Sequence, residues 1–376
     1  MITRRQLGAL VPAFAPALAP ALVASPLVLA GCSSQASESY ESAANRIWQP
    51  GAPADFSGDA LSRELVRYAT LAPSSHNTQC WKFAIGADKR SITVLPDLAR
   101  QCPAVDPDLH HVYVSLGCAT ENLAQAALAH GRLAQAQFQP GTDDVRIQLD
   151  NTSAEATALF QAVPLRQCTR GEYDGKPLRN EELALLQHAG SSGGVRMLLL
   201  TDRAAMEQTL EFVIRGNTAQ LADPAFMKEL QSWIRFNGAD AVRTGDGLYS
   251  VSSGSPNFPS WIGDLAFRWI LRPQSDADKY ARQVRSSAGI AVFVGQAADK
   301  ASWVEVGRCY ERFALQATVL GVRNAFLNQP VEVAQVRPPF ASALGLGDQR
   351  PDLVVRFGRG PALPRSLRRP VASVLM

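Results

Sequence analysis

The 376-residue chain has no Cys-x-x-Cys pair and no histidine spacing that would complete a zinc site. Its six cysteines stand at positions 32, 80, 102, 118, 168 and 309, too few and too scattered for a disulfide scaffold. An excess of one charge is also missing. The 37 basic and 34 acidic side chains leave +3, which gives no electrostatic footprint for nucleic acid. No Gly-x-Gly-x-x-Gly follows a strand, so a Rossmann nucleotide site has no support. No Ser-His-Asp arrangement stands out for nucleophilic catalysis. The adjacent His110 and His111 would point about 100° apart on a helix, and no carboxylate accompanies them in a metal-binding pattern. Neither a metal nor a nucleic-acid partner is expected. What remains is 46% hydrophobic and 19% charged, which excludes a disordered or fibrous chain. The length suggests two compact units.

The first 32 residues read as an export signal. Arg4 and Arg5 precede an uncharged stretch that ends in Leu29-Ala30-Gly31-Cys32. The twin arginine resembles the Tat class, which exports folded proteins. The terminal tetrapeptide resembles a bacterial lipobox with Cys32 as the lipidated residue. Pro12, Pro16, Pro20 and Pro26 argue against a spanning helix, because each removes a backbone donor that hydrocarbon cannot replace. The expectation is an exported, periplasmic or cell-envelope lipoprotein whose only membrane contact is its N-terminal lipid. Residues 33–54, rich in Ser, Ala and Glu, read as a linker without a core.

Helical and strand periodicities then alternate, which predicts an α+β fold. Leu61, Leu65, Tyr68 and Leu71 recur at helical spacing after a candidate N-cap, Ser57. Strands are predicted over 81–85, 91–95, 132–138, 145–149, 195–200 and 289–295, and a long helix over 109–130. Further helices are predicted over 180–189, 204–221, 224–236 and 301–320. Thr120-Glu121 leading to Gly131 repeats as Tyr310-Glu311 leading to Gly321, with Gln-Ala in the same register. That repeat divides the chain into halves, 55–160 and 161–376. A Gly/Ser/Pro-rich segment around 237–260 reads as a lid-like insertion in the second half.

The most distinctive stretch is Ala72-Pro73-Ser74-Ser75-His76-Asn77-Thr78-Gln79-Cys80-Trp81, a turn of hydroxyls and amides between a helix end and a strand. Such a turn presents donors and acceptors to a polar heterocycle. His76 within it reads as solvent-facing, and Cys80 as the cysteine to ask a redox question of. Arg166-Gln167-Cys168-Thr169-Arg170 holds two arginines close together, and Arg365-Ser366-Leu367-Arg368-Arg369 forms a basic run.

The Ala-Pro-Ser-Ser-x-Asn-x-Gln-x-Trp pattern resembles the signature of the nitroreductase superfamily, with Cys80 at the family's usual proline. Residues 166–170 resemble its Arg-x-Ser-x-Arg element, with Cys168 in place of the hydroxyl. The split of these elements between the halves resembles the Acg-type branch, two nitroreductase units fused into a pseudo-dimer with one FMN site. The resemblance implies an FMN-dependent oxidoreductase that shuttles electrons between a small-molecule donor and a nitroaromatic, quinone or similar acceptor in two half-reactions through flavin N5. It implies cofactor contacts from Ser74, Ser75, Asn77, Arg166, Cys168, Arg170, Asn328, Gln329, Arg368 and Arg369, with no catalytic side chain required. The assembly implied is a monomeric pseudo-dimer or a further homodimer of it. The other reading is a protein that binds and sequesters FMN under a self-covering lid with little turnover.

Overall fold

A computed structural model describes residues 38–51 and 58–376. The leader, Cys32 and Ser57 lie outside the described residues. Among those described, no helix is long and apolar enough to cross a membrane.

The chain enters through helix α1 (Tyr40–Ile47), capped by the Ser39 hydroxyl, which accepts the Ser42 N–H at 3.1 Å. This corrects the linker reading for residues 40–48. Ala43 and Ala44 are small enough to pack closely, and Trp48 buries its indole while donating to the Ser366 carbonyl at 2.8 Å. Helix α2 (Gly58–Thr70) leads through the Ser-Ser-x-Asn turn to β1 (Trp81–Ile85) and β2 (Ser91–Pro96). Helix α3 (His110–Ala129), β3 (Arg132–Gln139), β4 (Asp144–Asn151) and α4 (Ala158–Ala162) complete the first half.

The second half runs α5 (Asn180–Ala189), β5 (Arg196–Leu200), α6 (Arg203–Ala222), α7 (Pro224–Trp233), β6 (Ile234–Arg235), α8 (Gly238–Thr244), β7 (Leu248–Tyr249), α9 (Ser260–Ile270) and α10 (Pro273–Arg285). It continues through β8 (Gly289–Val294), α11 (Lys300–Val319), β9 (Arg323–Phe326), α12 (Gln329–Glu332), α13 (Arg337–Ala343), β10 (Leu353–Gly358) and α14 (Val371–Val374).

Each half builds a four-stranded antiparallel sheet, and the two orders correspond: β1-β2-β4-β3 and β5-β8-β10-β9. Helices α3 and α11 cross between them at the centre of the main core. Their contact depends on two glycines. A Cβ on Gly117 would lie 2.0 Å from the Val304 carbonyl oxygen, and one on Gly307 would lie 2.0 Å from that of Val114. The contact is reciprocal, and it keeps the spacing of the Glu121/Glu311 repeat. Because α3 is covered along nearly its whole length, its sequence is apolar or small on almost every face.

The halves differ in what joins their first two strands. In the first half residues 86–90 make a tight turn, whereas in the second residues 201–288 hold α6 to α10 and the short parallel pair β6·β7. The insertion is thus larger than the predicted 237–260. It has its own apolar cluster, with Phe226, Met227, Phe236 and Phe267 packed against Cys102 and Val105.

Candidate active site

The signature turn owes its shape to hydrogen bonds that replace regular structure. The Ser74 hydroxyl accepts the Gln79 N–H at 2.9 Å, and the Ser74 carbonyl accepts the Asn77 N–H at 3.0 Å. His76, Asn77 and Gln79 all have left-handed backbones, with φ of 48°, 53° and 54°. Such strain persists only where the surroundings enforce it. They do so here: Gln79 Nε2 donates to the Gly245 carbonyl (2.8 Å), and Asn77 Nδ2 donates to those of Gly247 (3.1 Å) and Leu367 (3.2 Å). Asp246 between those glycines pairs with Arg235 (2.7 Å) and with Arg100. The insertion is therefore fastened to the turn.

Beside the turn lies a cavity of about 320 Å³, lined on one side by Ser74, Ser75 and His76 and on others by His111, Asn328, Gln329 and the inserted helices. A recess of about 60 Å³ adjoins it and shares Pro73, Ser74, Arg170, Leu248 and Phe326. Arg166, Gln167, Cys168 and Arg170 all line this recess. A parallel bridge from Cys168 to Asn324 in β9 fixes that segment.

The arginines differ sharply in what occupies them. Arg166, 2% exposed, donates to the Leu71 carbonyl at 2.8 Å and sits 3.1 Å from Glu311, whose carboxyl burial pushes up to about 7 against the pull of Arg166. Arg368 donates to the carbonyls of Thr70 (2.7 Å), Leu71 (3.0 Å), Ala72 (2.9 Å) and Leu367 (2.9 Å) and to Asn77 Oδ1 (2.9 Å). Its guanidinium is buried against Trp48, and burial lowers it to about 9. Arg170 is the contrast. Its side chain stands where cavity and recess meet and has no hydrogen-bond or ion-pair partner among the described residues.

Nine of the ten predicted cofactor residues therefore line one continuous space. Asn77 does so with its amide already committed to protein groups. Arg369 lines neither part; it turns away to the Gln79 carbonyl (2.6 Å) and toward Asp97 (3.8 Å). Asn328 Oδ1 accepts the Val354 N–H at 3.0 Å, and Gln329 opens α12 rather than a plain turn. Cys80 is buried, which pushes its thiol up to about 11 and makes it a poor nucleophile.

Other residues at or behind the cavity were not expected to belong to the site. His111 Nε2 lies 3.4 Å from Glu332, which also accepts from Gln220 at 2.7 Å. His110 Nε2 lies 3.2 Å from Asp352. Both histidines thus have carboxylate partners, contrary to the expectation that none accompanies them. Those carboxylates come from positions more than 200 residues away, so local spacing could not reveal them. His76, expected in solvent, is half-buried on the cavity wall, and burial lowers it to about 4. Asn217 Nδ2 and Gln329 Oε1 are buried at the cavity with no partner among the described residues.

These features fit FMN. The larger, mixed apolar and polar cavity suits a flat heterocycle with polar edges, and the unpartnered Asn217 and Gln329 atoms are groups such edges would satisfy. The arginine-lined recess suits a phosphate.

No protein-family model matches the chain. Two sequences of Mycobacterium tuberculosis, from strains CDC 1551 / Oshkosh and H37Rv, are each 24% identical over 325 residues. The match covers 83% of this chain and 90% of theirs, and both are named "Putative NAD(P)H nitroreductase". The chain is similar to nitroreductases. Solved structures with some likeness include the FMN-dependent nitroreductase NfnB of Mycobacterium smegmatis in complex with NADPH, 11% identical over 54% of this chain and 87% of that one, TM-score 0.35. Another is a nitroreductase with bound FMN from Bacteroides fragilis, 14% identical over 55% and 89%, TM-score 0.32. At such scores the fold rests on the strand orders given above.

Proposed function

We propose that the chain is an FMN-dependent oxidoreductase of nitroreductase type, built as two fused units with one flavin site. The observation that carries this reading is the unpartnered Arg170 at the junction of the cavity and the arginine-lined recess, with the Ser-Ser-x-Asn turn forming the shared wall. Matching strand orders and the reciprocal α3·α11 crossing support the fused-unit reading. The mycobacterial relatives' names support the reaction class, with NADH or NADPH as donor.

The chemistry FMN supplies when bound is reversible two-electron transfer from a reduced nicotinamide to a nitroaromatic, quinone or similar acceptor. Arg170 would hold the phosphate, within the positive field of Arg166 and Arg368. Ser74, Ser75 and Gln329 would orient the ring, and Asn217 would fill an open hydrogen bond at its edge. The inserted helices exclude water and shape the acceptor pocket. The leader adds export and lipidation at Cys32, which would place the enzyme in the cell envelope.

The fastened insertion favours a second reading, FMN retention with little turnover. Gln79 to Gly245, Asn77 to Gly247 and the Asp246–Arg100 pair tie it to the signature turn, which would restrain substrate entry. The visible spectrum of the purified full chain, followed by anaerobic NADPH, separates the two. A flavin band that bleaches supports the reductase. One that persists until dithionite is added supports retention. A colourless protein that takes up no FMN refutes both.

A further inference from the structure

Three segments far apart in the chain converge behind the signature turn. They are the turn itself at His76, the loop before α3 at Cys102, and helix α7 of the insertion at Glu229. One imidazole nitrogen, the thiol sulfur and a carboxylate oxygen all lie within 4.8 Å of one another. We propose that His76, Cys102 and Glu229 form a divalent transition-metal site of the zinc class, which clamps the insertion to the signature turn.

The geometry is that of a ligand set. His76 Nδ1 stands 3.4 Å from Cys102 Sγ. Tetrahedral zinc, with bonds of about 2.0–2.1 Å to nitrogen and 2.3 Å to sulfur, sets such atoms about 3.5 Å apart. A thiol–imidazole hydrogen bond would account for that pair alone, but not for the carboxylate drawn to the same point. Glu229 is already aimed: its oxygens accept the backbone N–H groups of Ala104 (2.8 Å) and Val105 (3.1 Å), the outer support that orients a metal ligand. Each oxygen keeps a second lone pair. No basic side chain among the described residues pairs with Glu229, so the protein supplies no cation of its own.

The surroundings favour a cation, since the Cys102 thiol and a Glu229 carboxylate oxygen converge on one point with no basic side chain paired to that carboxylate among the described residues. Thiolate and carboxylate together balance the charge of one divalent ion, and binding displaces the thiol proton to solvent. The left-handed backbone of His76 has a use here, since it turns the ring toward Cys102. Three protein ligands leave a fourth position open, as in zinc sites that keep a water.

The test is calorimetric titration of Zn²⁺ into the full chain after dialysis against a chelator, which reads binding whether or not flavin is present. One saturable equivalent is expected, with one proton released and a higher thermal midpoint. Cys102→Ser and His76→Gln should each weaken binding by more than the roughly 10–100-fold that follows loss of an outer-shell support. Should either variant fail to fold, Glu229→Gln on α7 gives the same comparison. Absence of saturable binding, or an affinity unchanged in the folded variants, overturns the proposal.

Discussion

The two halves share one strand order and use it for different ends. Where the first joins its opening strands by residues 86–90, the second inserts 201–288, and that insertion supplies much of the cavity wall. The shared part is two sheets and a pair of helices that meet at glycines. The unshared part lines the cavity. The difference teaches that a symmetric core can hold an asymmetric site when one hairpin turn is replaced by a small domain's worth of chain.

The largest expected effect tests the shared part. Gly117→Ala and Gly307→Ala each drive a methyl group into the backbone of the opposite helix, so each should cost about 3 kcal/mol or more. Urea unfolding of the two variants should give similar losses. A large loss at one and none at the other would break the equivalence of the halves.

The arginines test the site. Arg368→Ala leaves several buried carbonyls and Asn77 without their donor, so it should lower stability by about 3 kcal/mol with or without flavin. Arg170→Ala should leave the apoprotein's midpoint within about 0.5 kcal/mol. It should weaken FMN binding by about 1.5–3 kcal/mol, roughly tenfold to over a hundredfold in Kd. Flavin fluorescence titration alongside unfolding separates these outcomes, and equal effects from the two variants would contradict the division of roles.

A smaller effect concerns the insertion. Asp246→Asn weakens its pairs with Arg100 and Arg235 and should cost about 1–2 kcal/mol. If the fastening restrains turnover, anaerobic reduction of the flavin by NADPH should then speed up; an unchanged rate would assign the fastening to stability alone.

The last test is a pH dependence. Burial pushes the Asp352 carboxyl up to about 6, against the Gly295 N–H that it accepts at 2.7 Å. The native chain therefore holds a proton that the unfolded chain has lost. This contribution is full below about pH 4 and disappears as pH rises through about 6. Relative to wild type, Asp352→Asn should gain stability as pH rises across that window, measured by urea midpoints. A constant difference would refute the assignment.

Much of this was legible in the residues. Period-two runs marked the strands, and the Glu121/Glu311 repeat marked the two halves, though not that its two helices cross at the core. The signature turn and residues 166–170 line one recess. What stayed hidden was long-range. Helix α1 packs through two alanines and one tryptophan, a composition that locally resembles a linker. Glu332, Asp352 and Glu229 meet their histidines only through the fold. Arg368 and Arg369 are neighbours in a basic run, yet they turn in opposite directions, which charge patterning cannot tell apart.

The recess has one further consequence, for the order of synthesis. Trp48 and Arg368 stack on each other across it, one near the start of the described chain and the other near the end. Until Arg368 has left the ribosome, the carbonyls of Thr70, Leu71 and Ala72 lack their donor and the recess lacks a wall. A nascent chain therefore has no complete pocket to load.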